Sequence, residues 1–331
     1  MKQVLLCIVL FMSANASALE VNKGDYRNRA DVLEFIQRMA KQSDYSEQDL
    51  VTLFSTVEKQ AHLFERLNKP AEKALQWHEY RRIFLKQARI QKGVQFWRQD
   101  QKLLSEVSKK TGVPEEIIVA IIGVESFYGT YRGKDPVFDS LVTLAFDYPA
   151  RAPFFIRELE QFLLLSKEQQ FDPKALKGSY AGAMGMPQFI ASSYRNYAVD
   201  FDGDGKINLF DDKGDIFASI ANYFVRHGWV SGQPVAQLLT LAPVNRVGEL
   251  EPGVRTIYTW TDLTQRGLVA QQDIGGQTAV ALVKLEQKDN AEYWAGLQNF
   301  YVITRYNHSE MYAMAVYQLA QLIKDGFEQG E

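Results

Sequence analysis

The sequence predicts a mainly helical α+β protein with several helices and one small β region. Apolar residues recur at helical spacing through residues 28–110, as at Val32, Phe35 and Met39, and charged residues fill the gaps. Residues 231–290 instead place β-branched and aromatic residues at every second position between Gly and Pro turns, which is typical of strands. The chain therefore combines a large helical part with a small β part.

Length and charge narrow the class of protein further. The 331 residues suffice for two or three domains, and an apolar content of 46% suffices for a sizeable core. The net charge is −3 and no basic run stands out, which argues against nucleic acid or an anionic membrane as a partner. Beyond the N-terminal residues, no stretch is long and apolar enough to be a transmembrane segment.

Residues 1–18 are predicted to be a signal peptide. An early lysine, an apolar run of nine residues and the small residues at 16–18 fit a secretory leader that is cleaved before Leu19. The only cysteine, Cys7, lies inside the apolar run and follows a leucine, so a lipid anchor is not expected there. We expect a soluble, secreted product without disulfides, thiolate metal sites or a cysteine nucleophile.

The regions follow one another along the chain. Residues 19–110 are predicted to form a helical domain, which a C-terminal helix over 308–327 completes. Residues 111–230 form a second helical region that Gly and Pro interrupt. The small β domain spans 231–290, and residues 291–331 return to the helical parts.

Prolines and alternating patterns predict where individual elements lie. Strands are expected over residues 254–260 and 279–285, where apolar residues alternate. Four prolines stand where a helix could begin, because proline at the first helical position loses no needed hydrogen bond. These are Pro114, Pro153, Pro173 and Pro187.

One predicted helix, over residues 114–129, carries a carboxyl group on its apolar stripe. Glu125 shares a face with Ile118, Ile121 and Ile122 and lies near the C-terminal end. Burial and the negative end of the helix dipole both favour the protonated carboxyl, which is the form that a general acid needs. The structural alternative is that Glu125 pairs with a buried arginine or caps another element.

A glycine-rich segment over residues 178–189 is a second candidate for binding. Glycines let a ligand approach the backbone closely, and Ser179 and Gln188 could bind hydroxyl or acetamido groups. The segment lacks the spacing of a phosphate-binding loop. The alternative is a tight connection that packs two helices together.

Residues 200–212 match the template of a calcium-binding loop. Oxygen side chains fall at positions 1, 3, 5 and 9, a glycine at 6 and a usable backbone carbonyl at 7. Crowded oxygen ligands favour a hard cation, Ca²⁺ above all, in a structural role. The residues concerned are Asp200, Asp202, Asp204, Asn208, Gly205 and Lys206. The last ligand stays open between Asp211, Asp212 and Asp215, and the alternative is an acidic surface turn.

Several segments together make the chain resemble the membrane-bound lytic transglycosylase B family over roughly residues 25–325. They are GVESFYG, SYAGAMGMPQF, AVDFDGDGKINLFDD, IANYFVRHGW and VITRYNHSEMYAMAVYQL, in that order. The resemblance implies a lysozyme-like catalytic core over 111–230 with an EF-hand-like loop at 200–215. It also implies cleavage of peptidoglycan between N-acetylmuramic acid and N-acetylglucosamine in the periplasm, without water, to 1,6-anhydro ends.

The resemblance also implies roles for single residues. Glu125 would be the catalytic acid and then the base. The implied sugar-binding residues are Tyr80, Ser179, Gln188, Tyr223, Tyr306 and Tyr312. The implied ligands of a structural Ca²⁺ are Asp200, Asp202, Asp204, the Lys206 carbonyl and Asp215, and no organic cofactor is expected. The segment before the next helix is one residue longer than the family's usual form. Other members of the family are lipid-anchored, but this sequence lacks a good lipid-attachment site, so no anchor is expected.

Two other functions stay open at this point. A lysozyme-type hydrolase would need a second carboxylate to hold water, and Asp135, Asp139 and Asp147 are candidates. A protein that binds the cell wall without cutting it, stabilised by calcium, is the alternative from another class.

Overall fold

The computed structural model describes residues 20–67 and 75–330. The predicted signal peptide 1–18, the cleavage point before Leu19, and Cys7 lie outside the described residues. The described residues fall into two compact units that divide between Lys59 and Gln60. None of their helices is long and apolar enough to cross a membrane.

The first unit contains two helices, α1 (Ala30–Gln42) and α2 (Glu47–Phe54). Each helix buries one apolar face, as the helical spacing of its residues predicts. Ser46 begins α2 because its hydroxyl accepts a hydrogen bond from the Asp49 backbone N–H (3.0 Å). The Asp49 carboxylate accepts one from the Ser46 N–H in return (3.2 Å), which completes a capping box.

The second unit holds the remaining helices of the described residues. In chain order they are α3 (Leu63–Leu67), α4 (Trp77–Phe84), α5 (Gln87–Thr111), α6 (Glu115–Ser126), α7 (Val137–Asp147), α8 (Ala152–Glu168), α9 (Ala191–Tyr197), α10 (Lys213–Arg226), α11 (Trp260–Thr264), α12 (Gln298–Tyr306) and α13 (Glu310–Glu328). α7 packs against α8, and α10 packs against α5.

Helix α6 lies at the centre of this unit and packs against α5 and α13. Its isoleucines Ile117, Ile118, Ile121 and Ile122 are at most 2% exposed. Burying an aliphatic side chain of this size contributes roughly 1.5–3 kcal/mol, so α6 is fixed firmly by its surroundings. Any side chain at its C-terminal end therefore has a well-defined position.

Among residues 20–67 and 75–330, seven strands form two antiparallel sheets. A short pair joins β1 (Asp135–Pro136) to β2 (Lys177–Gly178). The larger sheet has the order β4-β6-β7-β3-β5. Its strands are β3 (Ala236–Leu241), β4 (Tyr258–Thr259), β5 (Leu268–Ala270), β6 (Ala279–Glu286) and β7 (Ala291–Gly296). One face of this sheet packs on α11 around Trp260 and Leu263 and makes a small core of its own.

The main structural predictions are confirmed. The described chain is mainly helical with one small β region, the alternating residues 279–285 lie in β6, and the C-terminal pattern forms α13. Pro153 lies in the first turn of α8, and Pro114 is the residue before α6. The domain boundaries given above stay predictions.

Three local predictions were wrong. Residues 254–260 form only the short β4, because Thr259 caps a helix at Trp260 by accepting a hydrogen bond from Asp262 N–H (3.2 Å). Pro173 and Pro187 lie in turns and begin no helix. Helix α6 ends at Ser126 and not at Gly129, since Phe127 already adopts left-handed backbone angles (φ 50°).

Candidate active site

Glu125 is the penultimate residue of α6 and is half-buried. The apolar side chains of α6 hold the helix in the core, so the carboxyl group is fixed at the point where the helix ends. Phe127 and Tyr128 then turn the chain sharply with positive φ angles of 50° and 57°. A polar group therefore lies at the edge of an apolar core, beside a strained turn.

The side chain of Tyr312 contacts Glu125 directly. Its hydroxyl donates a hydrogen bond to Oε1 of Glu125 at 2.5 Å. Tyr312 lies in the first turn of α13, which Ser309 begins by accepting a hydrogen bond from the Tyr312 N–H. Burial raises the pKa of Tyr312 well above its ordinary value, and the nearby Glu125 charge raises this pKa further. The phenol therefore stays protonated and remains a donor to the carboxylate.

Tyr306 and Tyr223 extend the group of tyrosines near Glu125, and we call Tyr312, Tyr306 and Tyr223 together the wall of the site. The hydroxyl of Tyr306 donates to the Pro187 carbonyl (2.7 Å), and the hydroxyl of Tyr223 donates to the Arg305 carbonyl (2.6 Å). Their rings lie 4.9 Å apart. Burial, followed by the Glu125 charge, raises the pKa of Tyr306. The wall thus joins α10, the end of α12 and the glycine-rich segment.

The glycine-rich segment folds back on itself beside this wall. The Ser179 hydroxyl accepts hydrogen bonds from the backbone N–H groups of Ala181 (3.3 Å) and Ala183 (3.0 Å). Gly185 is held at φ 71°, and an added Cβ there would lie 2.3 Å from the Leu209 carbonyl oxygen. The segment is therefore close-packed against residues of the predicted calcium loop.

Gln188 is held in a fixed orientation. Its φ is 53°, an unusual value for a residue with a side chain. Its Nε2 donates to the carbonyls of Gly185 (2.8 Å) and Arg132 (3.2 Å). Both hydrogens of the amide are thus used within the protein, and the amide oxygen remains to accept a donor from outside.

Tyr80 lies deeper than the prediction of a groove wall suggests. It is 2% exposed, and its ring packs between Trp77 (6.4 Å) and Phe84 (5.2 Å). It also lies close enough to Tyr312 to affect the pKa of that phenol. Tyr80 is thus a core residue near Tyr312.

The predicted calcium loop brings three carboxylates together. Oxygens of Asp200, Asp202 and Asp204 lie within 4.8 Å of one another. The loop is shaped by its own backbone, since the Gly203 and Gly205 N–H groups donate to the two Asp200 oxygens (2.7 and 2.9 Å). Their donation lowers the pKa of Asp200, with Gly205 the larger cause.

The three candidates for the last ligand lie in different environments. Asp215 is 3% exposed and accepts the N–H groups of Phe201 (2.8 Å) and Asn208 (2.7 Å), so it faces the loop. Asp212 caps α10 by accepting the Asp215 N–H. Asp211 pairs with Arg132 at 2.9 Å, outside the loop.

Two of the three carboxylates that could serve a hydrolase, Asp135 and Asp139, form ion pairs. Asp135 is 5% exposed and pairs with His62 and Arg66, both at 2.9 Å. Asp139 is equally buried and pairs with Lys174 at 2.5 Å. Asp147 ends α7 and is half-buried.

Sequence reasoning missed Arg132. Its Nε donates to the Gly129 carbonyl (3.0 Å), its guanidinium pairs with Asp211, and its own carbonyl accepts Gln188. It thus joins the turn after α6 to the glycine-rich segment and to the end of the calcium loop. No local pattern marks such a residue, because Asp211 and Gln188 are 79 and 56 positions away in the sequence.

Comparison with known proteins identifies the family. Residues 27–321 match the transglycosylase SLT domain family. The chain belongs to this family. It is 41% identical to membrane-bound lytic murein transglycosylase B of Escherichia coli (strain K12) over 309 residues, which are 91% of this chain and 84% of the relative. Lytic transglycosylases are enzymes that cleave peptidoglycan, and this chain is a lytic transglycosylase.

Solved structures agree with the family assignment. Soluble lytic transglycosylase SltB1 of Pseudomonas aeruginosa is 46% identical, with a TM-score of 0.84 over 91% of this chain and all of that one (100%). The Escherichia coli lytic transglycosylase Slt35 in complex with calcium is 41% identical, with a TM-score of 0.85 over 93% of this chain and 96% of that one. The predicted fold class, a lysozyme-like mainly helical chain with a small β domain, is confirmed.

Proposed function

We propose that this peptidoglycan-cleaving lytic transglycosylase cuts the β-1,4 bond between N-acetylmuramic acid and N-acetylglucosamine with Glu125 as the acid and then the base. The hydrogen bond from Tyr312 to Glu125 carries the proposal. It places the one carboxyl group at the end of α6 among the tyrosines that border the glycine-rich segment. A carboxyl group that is part-buried and fixed by a neutral donor is suited to proton transfer.

In the first step the Glu125 carboxyl donates its proton to the glycosidic oxygen. The bond between C1 of the muramic acid and that oxygen breaks, and the oxygen leaves as the C4 hydroxyl of N-acetylglucosamine. Positive charge develops at C1, and the substrate's own acetamido group can stabilise it. Gln188 and Ser179 are proposed to position that group.

In the second step the ionised Glu125 acts as the base. It takes the proton from the C6 hydroxyl of the muramic acid while the C6 oxygen bonds to C1. The product is a 1,6-anhydro ring, and the carboxyl group has regained its proton. The nucleophile belongs to the substrate, so one protein carboxylate is enough and no water is consumed. Because the attack is intramolecular, it avoids the entropy lost when a separate nucleophile is brought in.

The tyrosines would supply shape and orientation. Tyr312 holds the carboxyl group, and Tyr80 lies close enough to Tyr312 to raise its pKa slightly further. Tyr223 and Tyr306 would line the cleft, with their hydroxyls already bonded to backbone carbonyls. Rings fixed in this way offer flat apolar faces to a sugar without losing rotamer freedom on binding.

The rival hydrolase needs a second carboxylate beside the bond. The ion pairs of Asp135 and Asp139 argue against those two residues, because each is buried with a cationic partner. The wall-binding alternative would leave glycan strands uncut. Mass spectrometry of the fragments released from purified sacculi separates all three functions, because anhydro ends are lighter than reducing ends by one water.

A calcium ion fits the loop of residues 200–215, and we propose that it binds there in a structural role. The donor set is hard oxygen, and three carboxylates already converge. The proposed ligands are Asp200, Asp202, Asp204, the Lys206 carbonyl and Asp215. Asp215 is preferred as the last ligand, since Asp211 and Asp212 have other partners. When bound, the ion would neutralise the repulsion among these carboxylates.

Secretion and the division into domains are also proposals. A signal peptide over 1–18 would deliver the chain to the periplasm, where peptidoglycan lies. Residues 19–110 with 308–327 would form the helical domain, 111–230 the catalytic core and 231–290 the β domain, with 291–331 returning to the cleft. No organic cofactor enters the proposed reaction.

A further inference from the structure

Tyr131 exposes an aromatic ring close to the proposed active site. The ring is 69% exposed, whereas the other large hydrophobic side chains that the described residues expose are aliphatic. It stacks on Phe127, with the ring centres 5.9 Å apart and the planes 28° apart. Leaving such a ring in water forgoes the stabilisation that burial gives, so an exposed aromatic pair is often a binding surface.

The turn that carries these two rings is rigid. Phe127 and Tyr128 both have positive φ angles, and the Tyr131 N–H donates to the Ser126 carbonyl at 2.8 Å. Tyr128 points the other way, into the core, where its hydroxyl donates to the Arg89 carbonyl (2.9 Å). An added Cβ at Gly123 would lie 2.6 Å from that hydroxyl. The buried Tyr128 thus anchors the turn and leaves its neighbours facing outward.

The pair is supported from one side by cations. The Arg89 guanidinium lies 5.2 Å from the Phe127 ring centre, and the Lys92 ammonium lies 4.6 Å from it. Arg89 also donates to the Ile83 carbonyl (2.7 Å), and Lys92 bonds to Thr130. Both cations lie against the Phe127 ring, which leaves the Tyr131 ring for an uncharged ligand.

The two rings lie next to the proposed site, because Phe127 follows Glu125 by two residues and the Tyr131 N–H donates to the carbonyl of Ser126, the residue after Glu125. On one side Arg89 also lies over Phe84 (5.1 Å), whose ring is 5.2 Å from Tyr80. On the other side an added Cβ at Gly129 would touch Met186 (2.9 Å), in the glycine-rich segment. The rings thus lie beside the end of α6 that carries Glu125.

We propose that Phe127 and Tyr131 form an outer sugar platform, on which a pyranose ring beyond those flanking the cleaved bond stacks against Tyr131. This rests on the proposed function. A pyranose has a face of C–H groups that carry partial positive charge, and an aromatic face carries partial negative charge. Longer glycan strands would gain this contact, and short fragments would not reach it.

The test is binding of peptide-free glycan strands of defined length to the Glu125→Gln variant, which should not cut them. The Glu125→Gln variant, which keeps Tyr131, should bind long strands more tightly than a disaccharide. Tyr131→Ala should weaken long-strand binding roughly two- to tenfold and leave the disaccharide unchanged. Tyr131→Phe should retain the tight binding, because the ring face is kept. Val244→Ala, at another exposed position (88%), is the matched control and should change neither.

These binding experiments test the sugar platform independently of the catalytic role of Glu125. Unchanged long-strand binding by Tyr131→Ala overturns the proposal. So does a loss seen only with strands that carry peptide stems, since the surface would then bind peptide. In the active enzyme, Tyr131→Ala should raise KM for long strands and leave kcat unchanged. Turnover by Glu125→Gln would contradict the proposed function alone, because the length dependence of binding does not require Glu125 to be the acid.

Discussion

The phenolic oxygen of Tyr312 lies 2.5 Å from Oε1 of Glu125, although the two residues are 187 positions apart in the chain. The contact joins the last turn of α6 to the first turn of α13. Because burial and the Glu125 charge both raise the pKa of Tyr312 above its ordinary value, the phenol is a neutral donor at neutral pH. The reactivity of the carboxyl group thus depends on a packing contact between two helices.

Replacing Glu125 by glutamine should abolish turnover and preserve the fold. The amide has the same shape but cannot give up a proton to the glycosidic oxygen, and general acid catalysis contributes roughly 10²–10⁴-fold. Release of anhydro fragments from sacculi measures the loss, and circular dichroism measures the fold. Glu115→Gln, in the first turn of the same helix, is the control and should remain active. Substantial cutting by Glu125→Gln would remove Glu125 from the acid role.

Tyr312→Phe should reduce kcat and leave KM nearly unchanged. The change removes the donor to the carboxylate, and a hydrogen bond to a charged group contributes about 1.5–3 kcal/mol, or roughly 10–100-fold in rate. Tyr317→Phe makes the same change in α13, but the Tyr317 hydroxyl donates to the Ala236 carbonyl in β3. That control should keep its kcat. Equal loss in both variants would indicate a general effect on α13.

The free energy of unfolding should fall as the pH rises above 10, because tyrosines that stay protonated in the folded core lose their protons when the chain unfolds. Tyr306 and Tyr312 have pKa values raised above the ordinary value of 10.0, so the folded state retains their protons where the unfolded state loses them. Their contribution is full below pH 10 and is lost as the pH rises above it. Urea midpoints between pH 8 and 11 measure this slope. The double variant Tyr306→Phe, Tyr312→Phe should show a shallower decline, and Tyr131→Phe should match the parent.

Calcium should raise the melting temperature of protein that has been stripped with a chelator. Binding to the folded state alone contributes about 2.7 kcal/mol at a hundredfold excess over Kd, or roughly 5–10 °C for a domain of this size. Asp202→Ala and Asp215→Asn should lose the response. Asp211→Asn should keep it, since Asp211 pairs with Arg132. An unchanged melting curve on adding Ca²⁺ to the parent would count against the site.

Gly185→Ala should destabilise the glycine-rich segment more than Gly232→Ala does. The two glycines have similar φ angles (71° and 76°), so the backbone strain is matched. Only at Gly185 does the new Cβ meet a backbone atom, the Leu209 oxygen at 2.3 Å. Overpacking of this kind typically costs about 1–3 kcal/mol. Thermal unfolding and activity on sacculi measure the difference, and equal losses would show that space at Leu209 is not limiting.

Some expectations failed where a short pattern allowed two structures. The alternation over 254–260 suggested one strand, but a capping box at Thr259 and Asp262 begins a helix instead. Tyr80, which the resemblance places in the wall of a groove, is only 2% exposed. Local periodicity gives the kind of element, whereas exposure depends on what packs above it.

The sequence by itself determined the features that lie within one short stretch. The apolar spacing around Glu125 and the oxygen spacing of Asp200, Asp202 and Asp204 are local, because one helix or one loop supplies every part. Only the tertiary structure decided that Tyr312 donates to Glu125 and that Arg132 pairs with Asp211. Those pairings depend on how distant helices pack, and packing depends on the shapes of many side chains at once, which no short pattern records.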